Sequence, residues 1–361
     1  MTDLLKLEET VTFALRKLYL QYGYTQFRMS KFEEYDLYMK NKEFLVSDGV
    51  VTFTNTDGTL MALKPDVTLS IVKNYRDDQM PVHKVCYNEH VYRIVGTERS
   101  YREIMQSGLE CIGDVGTYEL CEVIMLALRS LQAISDSFML DLSHLGLLDN
   151  LFGRLELTED QIAQVMRCFA EKNEDELKRL VHPCKAEILL QLMQIDDPIF
   201  SAIQKLEKLA DTESLAEIRQ LALFLQDLRL EDKVHLDFSI VNDLNYYNGM
   251  VFCGYVDGIP TSILSGGQYD KLMEKMGKHA KAVGFAVYLD ELQALDRNSR
   301  LFDVDQVLQY DPSQNPADLI RAVEGLDASK TLVVKSIPPN LRYRRLLKLM
   351  DGRLIEIENH G

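Results

Sequence analysis

The sequence lacks a CxxC pair and any grouping of cysteine with histidine at metal-ligand spacing. Disulfide frameworks and zinc sites depend on such spacings, so neither is expected, and no metal or cofactor is predicted. A chain of 361 residues can also bury a large core without staples of this kind. We therefore expect buried free thiols in a reducing compartment, at Cys86, Cys111, Cys121, Cys168, Cys184 and Cys253.

The chain also lacks an apolar run of the ~20 residues that a bilayer-spanning helix needs. Its opening segment, MTDLLKLEET, carries acidic side chains where a signal peptide has an apolar stretch. These two absences predict a cytoplasmic protein with no membrane partner.

Basic residues are in deficit, with 40 lysines and arginines against 56 aspartates and glutamates, which gives a net charge of −16. A field of that sign repels phosphate backbones. We therefore expect no nucleic-acid partner.

The first half of the chain alternates helical and strand patterns. Apolar residues at helical spacing predict an N-terminal helix with one apolar face, made of Leu4, Leu7, Val11, Ala14 and Leu18. The segments FLVSD, VVTFTN and LMAL predict short strands, with Asp57-Gly58 as a turn, and Pro65 is expected to open the next helix. Residues 82–113 predict a strand–loop–strand unit, and the helix after it has Leu120, Ile124, Ala127 and Leu131 on one face.

The second half begins with residues from about 157 to 230, which predict an all-helical insertion. Two capping boxes support it, Thr158 with Gln161 and Ser214 with Glu217. The segments VHLDFSI, GMVFCGYV, TSILSGG and VGFAVYL then predict an antiparallel sheet. After the polar stretch around DPSQNP, TLVVKSI and RLIEIEN are expected to be strands, with RYRRLLKLM as a helix between them. The prediction is an α+β core over residues 1–300 and a small strand–helix–strand unit over 301–361.

Four segments carry side chains suited to ligand binding, and each has an ordinary structural interpretation as well. Asp66 in LKPDVT could cap a helix or hold an amino group. Gln106 and Glu110 lie on one side of a strand and could be solvated or could bind a ligand. The paired tyrosines of LNYYNGMVF could pack at the core edge, and the two glycines of SGGQYD allow a tight turn or a close backbone approach.

In order, spacing and flanking strands, these four segments together resemble the catalytic core of histidyl-tRNA synthetases, which have the class II aminoacyl-tRNA synthetase fold. LKPDVTLSIVKN is similar to the family's RPE(G)T segment, and YRIVGTERSYREIMQSGLECIG to its motif 2. VNDLNYYNGMVF and SGGQYDKL are similar to its two histidine signatures, RGLDYY and GGRYD. The resemblance covers about residues 8–295, with the helical insertion only loosely matched. It implies a class II synthetase-like antiparallel sheet flanked by helices.

The resemblance also implies roles for individual residues. Asp66 and Gln106 would hold the α-amino group of histidine, while Glu110 and Tyr247 would bind the imidazole and Tyr269 would close the pocket. Thr68 and Tyr246 belong to the same matched segments and complete the implied histidine-binding set. Arg93 and Arg102, which flank the motif 2 loop, are candidates for residual phosphate or ligand contacts.

The departures from the family pattern fall on the residues that handle ATP. The motif 2 glutamate is replaced by Val95, and the phosphate-gripping arginine of motif 3 by Glu291. RGLDYY has lost its arginine, glycine and aspartate to Asn242, Asp243 and Asn245, and the arginine of GGRYD is Gln268. Class II sites neutralise the triphosphate with arginine and Mg²⁺, so these changes predict that no amino-acid activation occurs.

A histidine pocket without ATP chemistry resembles the regulatory subunits of short-form ATP phosphoribosyltransferases, which are paralogues of histidyl-tRNA synthetase. That resemblance implies a non-catalytic chain that supports a short catalytic subunit in the first step of histidine biosynthesis and transmits feedback inhibition by L-histidine. A homodimer within a hetero-oligomer is expected. Two alternatives stay open at this point: a module that binds histidine or uncharged tRNA, and a residual histidyl-tRNA synthetase.

Overall fold

A computed structural model of the chain describes residues 6–45, 49–76, 80–95, 100–210, 215–240, 246–295, 302–326, 330–350 and 352–360. Its chain contacts form two compact units, Val11–Glu291 on the one hand and Met1–Thr10 with Leu292–Gly361 on the other. The division into domains at residue 300 stays a prediction.

The described α-helices are α1 (Leu7–Gln21), α2 (Tyr35–Lys40), α3 (Thr68–Asn74), α4 (Thr117–Gln132), α5 (Leu145–Arg154), α6 (Glu159–Ala170), α7 (Glu174–Leu180), α8 (Pro183–Met193), α9 (Ile199–Leu206), α10 (Ala216–Asp227), α11 (Asp270–Lys275) and α12 (Pro316–Glu324). The described strands are β1 (Thr25–Gln26), β2 (Phe32–Glu34), β3 (Thr52–Thr54), β4 (Leu60–Leu63), β5 (Val82–Val95), β6 (Ser100–Gly113), β7 (Phe138–His144), β8 (Asp196–Pro198), β9 (Val234–Asp237), β10 (Met250–Val256), β11 (Leu264–Gln268), β12 (Lys281–Tyr288), β13 (Val304–Gln309), β14 (Thr331–Val334), β15 (Tyr343–Met350) and β16 (Arg353–Asn359).

The larger unit is built on a nine-stranded sheet in the order β1-β5-β6-β12-β11-β10-β7-β9-β8. Its centre is antiparallel, as predicted, and contains the hairpin of β5 and β6. Two pairings are parallel, β1 with β5 and β7 with β9, so the sheet is mixed towards its edges. A central antiparallel sheet flanked by helices confirms the predicted fold class.

Helix α4 packs on the sheet against β7, β10 and β12. The face predicted for it is confirmed, because Leu120, Ile124, Ala127 and Leu131 are all fully or almost fully buried. Burying a leucine or isoleucine side chain stabilises a fold by about 1.5–3 kcal/mol. The burial of these four side chains therefore stabilises the packing of α4 on the sheet.

Two helix predictions near the N-terminus were wrong in detail. Helix α1 buries Val11, Leu15 and Tyr19, whereas the predicted Ala14 is exposed. The face is rotated because Tyr19 packs edge-on against the Phe285 ring and bonds Ser130 on α4. Leu4 lies outside the described residues.

Helix α3 begins at Thr68 and not at Pro65. The backbone N–H of Tyr92 donates to the carbonyl of Lys64, and Arg93 Nε donates to the carbonyl of Pro65. These bonds to β5 occupy the carbonyls that a helical turn would need. Upstream, the predicted strand FLVSD begins within a 3₁₀ turn, Lys42–Phe44, and its residues 46–48 lie outside the described residues.

The predicted insertion is helical over most of its length but not all of it. The Thr158–Gln161 capping box is confirmed at the start of α6. Strand β8 interrupts the helices and pairs antiparallel with β9, because this edge of the sheet offers unpaired backbone groups. Ser214 lies outside the described residues.

The C-terminal elements differ from the predicted strand–helix–strand unit. RYRRLLKLM, predicted as a helix, is strand β15, which pairs parallel with β13 and antiparallel with β16. Its leucines have good helix propensity, but pairing on both sides overrides that preference. The helix of this sheet is instead α12, which Asn315 caps by accepting the backbone N–H of Ala317.

Candidate functional site

A cavity of about 420 Å³ lies over the face of the main sheet formed by β6, β12, β11 and β10. Eight residues predicted for ligand binding line it: Asp66, Thr68, Arg93, Gln106, Glu110, Tyr246, Tyr247 and Tyr269. Arg102 is exposed on β6 and is not among the lining residues. The structure thus brings together side chains from four separate segments of the chain.

Strand geometry explains why these side chains meet. Side chains two residues apart on a strand point to the same face, so Gln106 and Glu110 share one side of β6. On the neighbouring β12, Tyr288 pairs with Gln106 and Gly284 pairs with Glu110. A Cβ atom at Gly284 would collide with the Glu110 carboxylate. Glycine at 284 is therefore what leaves room for a glutamate in the floor of the cavity.

Glu110 is the buried carboxylate of the site, with 2% of its surface exposed. Thr68 Oγ1 donates to its Oε1 at 2.7 Å, and the Tyr269 hydroxyl donates to its Oε2 at 2.6 Å. Burial raises the pKa of Glu110 to about 8, although these two hydrogen bonds favour the charged form. At neutral pH this group holds a proton that a ring nitrogen of a ligand could share.

Gln106 is 2% exposed, and its amide Nε2 has no hydrogen-bond partner among the residues that the structure describes. Buried polar atoms are nearly always paired, and leaving one unpaired costs about 1–3 kcal/mol. Because this amide lines the cavity, a bound ligand with an acceptor atom would satisfy it.

Asp66 performs the capping role that its position allows, since its Oδ1 accepts the backbone N–H of Leu69 at 2.8 Å near the start of α3. Its Oδ2 lies 3.9 Å from the guanidinium of Arg93. Burial raises the pKa of Asp66, and the Arg93 charge opposes that shift. The second carboxylate oxygen therefore faces the cavity beside a cation, where an amino group could compete for it.

Three tyrosine rings form one wall of the cavity. The ring centroids of Tyr246 and Tyr247 are 4.6 Å apart, and those of Tyr246 and Tyr269 are 6.0 Å apart. The Tyr247 ring passes close to Gly267, where a Cβ atom would come within 2.8 Å of it. The second glycine of SGGQYD thus allows a close approach between strand β11 and a tyrosine.

Of the residues that depart from the synthetase pattern, two are described with their side chains. Glu291 Oε2 accepts the hydroxyl of Thr261 at 3.0 Å. Gln268 does not line the cavity, because its Oε1 accepts the backbone N–H of Met250 at 2.7 Å. Asn242, Asp243, Asn245 and the side chain of Val95 lie outside what the structure describes.

Several lining residues were missed at the level of sequence: Tyr87, Cys253, Ser262, Ser265 and Tyr288. Tyr87 pairs with Gly108 and covers the space above it, so a Cβ atom there would meet the tyrosine hydroxyl at 2.5 Å. Ser265 pairs with Cys253 across β10 and β11. A period-two count along each strand could have found them, but only with the register between strands in hand.

Within the described ranges, no group of three or more histidine, cysteine, aspartate or glutamate side chains is placed to hold a metal ion. Among the helices that the structure describes, none is both long and apolar enough to cross a bilayer.

The family model described as Histidyl-tRNA synthetase matches residues 3–292, which is more than half of the chain. The chain belongs to this family. The resemblance drawn from the four segments is thereby confirmed.

Two curated relatives with the same name are similar to this chain over most of its length. The chain is 27% identical over 338 residues to the ATP phosphoribosyltransferase regulatory subunit of Oceanobacillus iheyensis, covering 89% of this chain and 82% of the relative. It is 28% identical to the protein of the same name from Caldanaerobacter subterraneus subsp. tengcongensis, covering 79% and 78%. The similarity to this group of regulatory subunits is therefore also confirmed.

Solved structures share the fold. An ATP phosphoribosyltransferase regulatory subunit/histidyl-tRNA synthetase from Bacillus halodurans C aligns with a TM-score of 0.73 at 22% identity, covering 95% of this chain and 93% of that one. A chain of the ATP phosphoribosyl transferase (HisG:HisZ) complex from Thermotoga maritima aligns with a TM-score of 0.63 at 20% identity, covering 78% and 97%. The histidyl-tRNA synthetase of Nostoc sp. PCC 7120 aligns at 0.70 and 18% identity, covering 97% and 93%.

Proposed function

We propose that this chain is a non-catalytic regulatory subunit of a short-form ATP phosphoribosyltransferase, which carries out the first step of histidine biosynthesis. Relatives with that name match most of its length. A chain with the same fold occurs in the ATP phosphoribosyl transferase complex of Thermotoga maritima. In this role the chain works in the cytoplasm with a short catalytic subunit, as a homodimer within a hetero-oligomer.

The effector of this subunit is L-histidine, bound in the cavity. The observation that carries this part of the proposal is the buried Gln106 amide, which no described residue pairs with, in a cavity that Glu110 also lines. Glu110 and Tyr247 bind the imidazole, and Tyr269 closes the pocket. Asp66 accepts from the α-ammonium group, and Gln106 Nε2 donates to the neighbouring α-carboxylate. A pocket whose polar groups need both ends of the ligand rejects molecules that lack one of them.

The chain does not activate histidine with ATP. Glu291 places a carboxylate at the position of the phosphate-gripping arginine, and a carboxylate repels a triphosphate. Arg93 is 7% exposed and directs its guanidinium to the carbonyl of Pro65 and to Asp66. An arginine committed in this way supplies little charge to a nucleotide.

Feedback inhibition then follows from differential binding. Histidine inhibits if it binds the inhibited assembly more tightly than the active one, and coupling of this kind usually amounts to a factor of about 5–150. The regulatory chain contributes the sensor, and the catalytic subunit contributes the chemistry.

The test is to mix the purified chain with a short-form catalytic subunit and to measure phosphoribosyl transfer with and without histidine. We expect the mixture to be active and histidine to inhibit it, with Glu110→Ala losing inhibition and the exposed Glu103→Ala keeping it. If the chain neither activates the catalytic subunit nor confers inhibition, the regulatory function is wrong. Histidine-dependent exchange of ATP with pyrophosphate would instead indicate a synthetase, and tight, salt-sensitive tRNA binding a tRNA-binding module.

A further inference from the structure

Reciprocal hydrogen bonds join the two chain segments that supply the three cavity tyrosines. Asn248 Nδ2 donates to Asp270 Oδ2 at 3.0 Å, and the backbone N–H of Asp270 donates to Asn248 Oδ1 at 2.7 Å. The backbone N–H of Asn248 also donates to the carbonyl of Gln268 at 3.1 Å. The two residues thus satisfy each other reciprocally, although they are 22 positions apart.

Two further bonds tie this pair to the sheet. The backbone N–H of Ala282 on β12 donates to Asp270 Oδ1 at 2.8 Å, so both carboxylate oxygens of Asp270 are in use. Gln268 Oε1 accepts the backbone N–H of Met250 at the start of β10. We call Asn248, Gln268 and Asp270 the clamp.

The clamp touches the cavity only through its neighbours. None of its three residues lines the cavity. Tyr246 and Tyr247 directly precede Asn248, and Tyr269 lies between Gln268 and Asp270. The Tyr269 hydroxyl in turn bonds Glu110. A shift in the clamp would therefore displace the backbone next to all three tyrosines. Through the Tyr269 hydroxyl it would also displace the Glu110 carboxyl group.

We propose that the Asn248–Asp270 pair, with Gln268, is a positioning device that sets ligand affinity by holding Tyr246, Tyr247 and Tyr269 in their binding arrangement. This inference rests on the proposed histidine site. Binding groups need support to within about 0.5 Å, and hydrogen bonds from behind supply it. Tyr246 and Tyr269 belong to a hydrophobic core cluster as well as to the cavity wall, so ligand affinity and thermal stability have to be measured separately.

The reciprocal geometry allows a swap experiment. Asn248→Asp alone sets two carboxylates against each other, and Asp270→Asn alone leaves two carboxamides that cannot make the same charge-assisted bonds. With both substitutions together, the carboxylate at 248 accepts both bonds, and the carboxamide at 270 donates one and still accepts from Ala282. We expect each single variant to weaken L-histidine binding on the order of tenfold, and the double variant to recover to within about threefold of the parent.

Binding is measured by calorimetric titration of L-histidine into the full-length chain, with the thermal midpoint recorded for each variant. Asp36→Asn, on an exposed side chain of α2, is the matched control and should bind like the parent. If a single variant does not fold, Gln268→Leu replaces it, because it removes only the bond to Met250. Unchanged affinity in the folded single variants would overturn the inference, as would a double variant that regains its thermal midpoint but not its affinity. If the parent itself does not bind histidine, the proposed sensor function is what fails.

Discussion

The hydroxyl of Tyr269 donates a hydrogen bond to the carboxylate of Glu110 at 2.6 Å, across 159 positions of sequence. Thr68 donates to the other oxygen, so the carboxyl group is held from both sides. Burial nevertheless keeps the pKa of Glu110 near 8. The cavity therefore presents a fixed, protonated carboxyl group at neutral pH, which is a suitable partner for an unprotonated imidazole nitrogen.

Replacing Glu110 by glutamine tests that partnership. Glu110→Gln keeps the size, one acceptor oxygen and a donor, but its amide cannot pass a proton to the imidazole and cannot accept from both Thr68 and Tyr269. Sharing the proton gives the parent pair the character of an imidazolium and a carboxylate, and a hydrogen bond to a charged group contributes about 1.5–3 kcal/mol, so histidine affinity should fall between about tenfold and a hundredfold. Calorimetric titration measures the loss, and Glu103→Gln on the exposed part of β6 is the control. Equal affinities for the two variants would contradict the imidazole-binding role of Glu110.

Histidine binding should depend on pH on both sides of neutrality. A free imidazole has a pKa of about 6.5, and Glu110 has one of about 8. Between pH 6.5 and pH 8 Glu110 is protonated and the free imidazole is not, so histidine binds without uptake or release of a proton. Above pH 8 Glu110 has lost its proton, and below pH 6.5 the ring brings a second one, so affinity should fall in both directions. Titrations at pH 5.5, 7 and 9 test this, and constant affinity across them would refute the shared proton.

The free energy of unfolding of the ligand-free chain should also depend on pH through the raised pKa of Glu110. The pKa of Glu110 is raised from 4.5 in the unfolded chain to about 8 in the folded one. Below pH 4.5 both states hold the proton and Glu110 imposes no penalty. As pH rises from 4.5 to 8 the unfolded chain ionises first, so the free energy of unfolding falls by a few kcal/mol. Urea titrations should show a shallower fall over this window in Glu110→Gln than in the parent, and identical slopes would count against a buried, protonated carboxyl.

The space for Glu110 should depend on Gly284. A Cβ atom at 284 would collide with the carboxylate and would lie within 2.5 Å of the carbonyl oxygen of Leu109. Gly284→Ala should therefore abolish measurable histidine binding and destabilise the fold by about 1–3 kcal/mol, the usual range for overpacking. In Gly153→Ala, within α5, the new methyl group meets nothing within 4 Å, so that variant should be slightly stabilised and should bind normally. Normal binding by Gly284→Ala would mean that Glu110 lies elsewhere.

More of the site than of the surrounding fold could be predicted from the sequence. Gln106 and Glu110 could be placed on one face from their spacing alone, because a strand has a period of two. The partners of Glu110 could not be assigned from geometry, since Thr68 and Tyr269 come from distant segments and only the family resemblance connected them. Tyr288 could not be predicted as a cavity residue, because its pairing with Gln106 depends on the register between β6 and β12.

Predictions of secondary structure from local sequence pattern were least reliable where contacts with neighbouring elements determine the structure. RYRRLLKLM has the residues of a helix, yet it lies between two strands and becomes β15. The apolar stripe of α1 is broad, and its buried side follows from the contact between Tyr19 and Phe285. Pro65 does not start a helix, because strand β5 takes the carbonyls around it.

By itself, the sequence determined the family and the departures from its pattern, and it predicted the segments that line the cavity, because these depend on residue identity and order along the chain. Tertiary structure alone decided which atoms meet and which do not. The Gln106 amide has no partner in the described part of the chain, the Glu110 carboxyl group lies between two hydroxyls, and Gln268 bonds Met250 instead of lining the cavity. The physical reason is that strand register and long-range packing set distances between residues that the chain keeps far apart. Hydrogen bonds and pKa values respond to those distances and not to sequence separation.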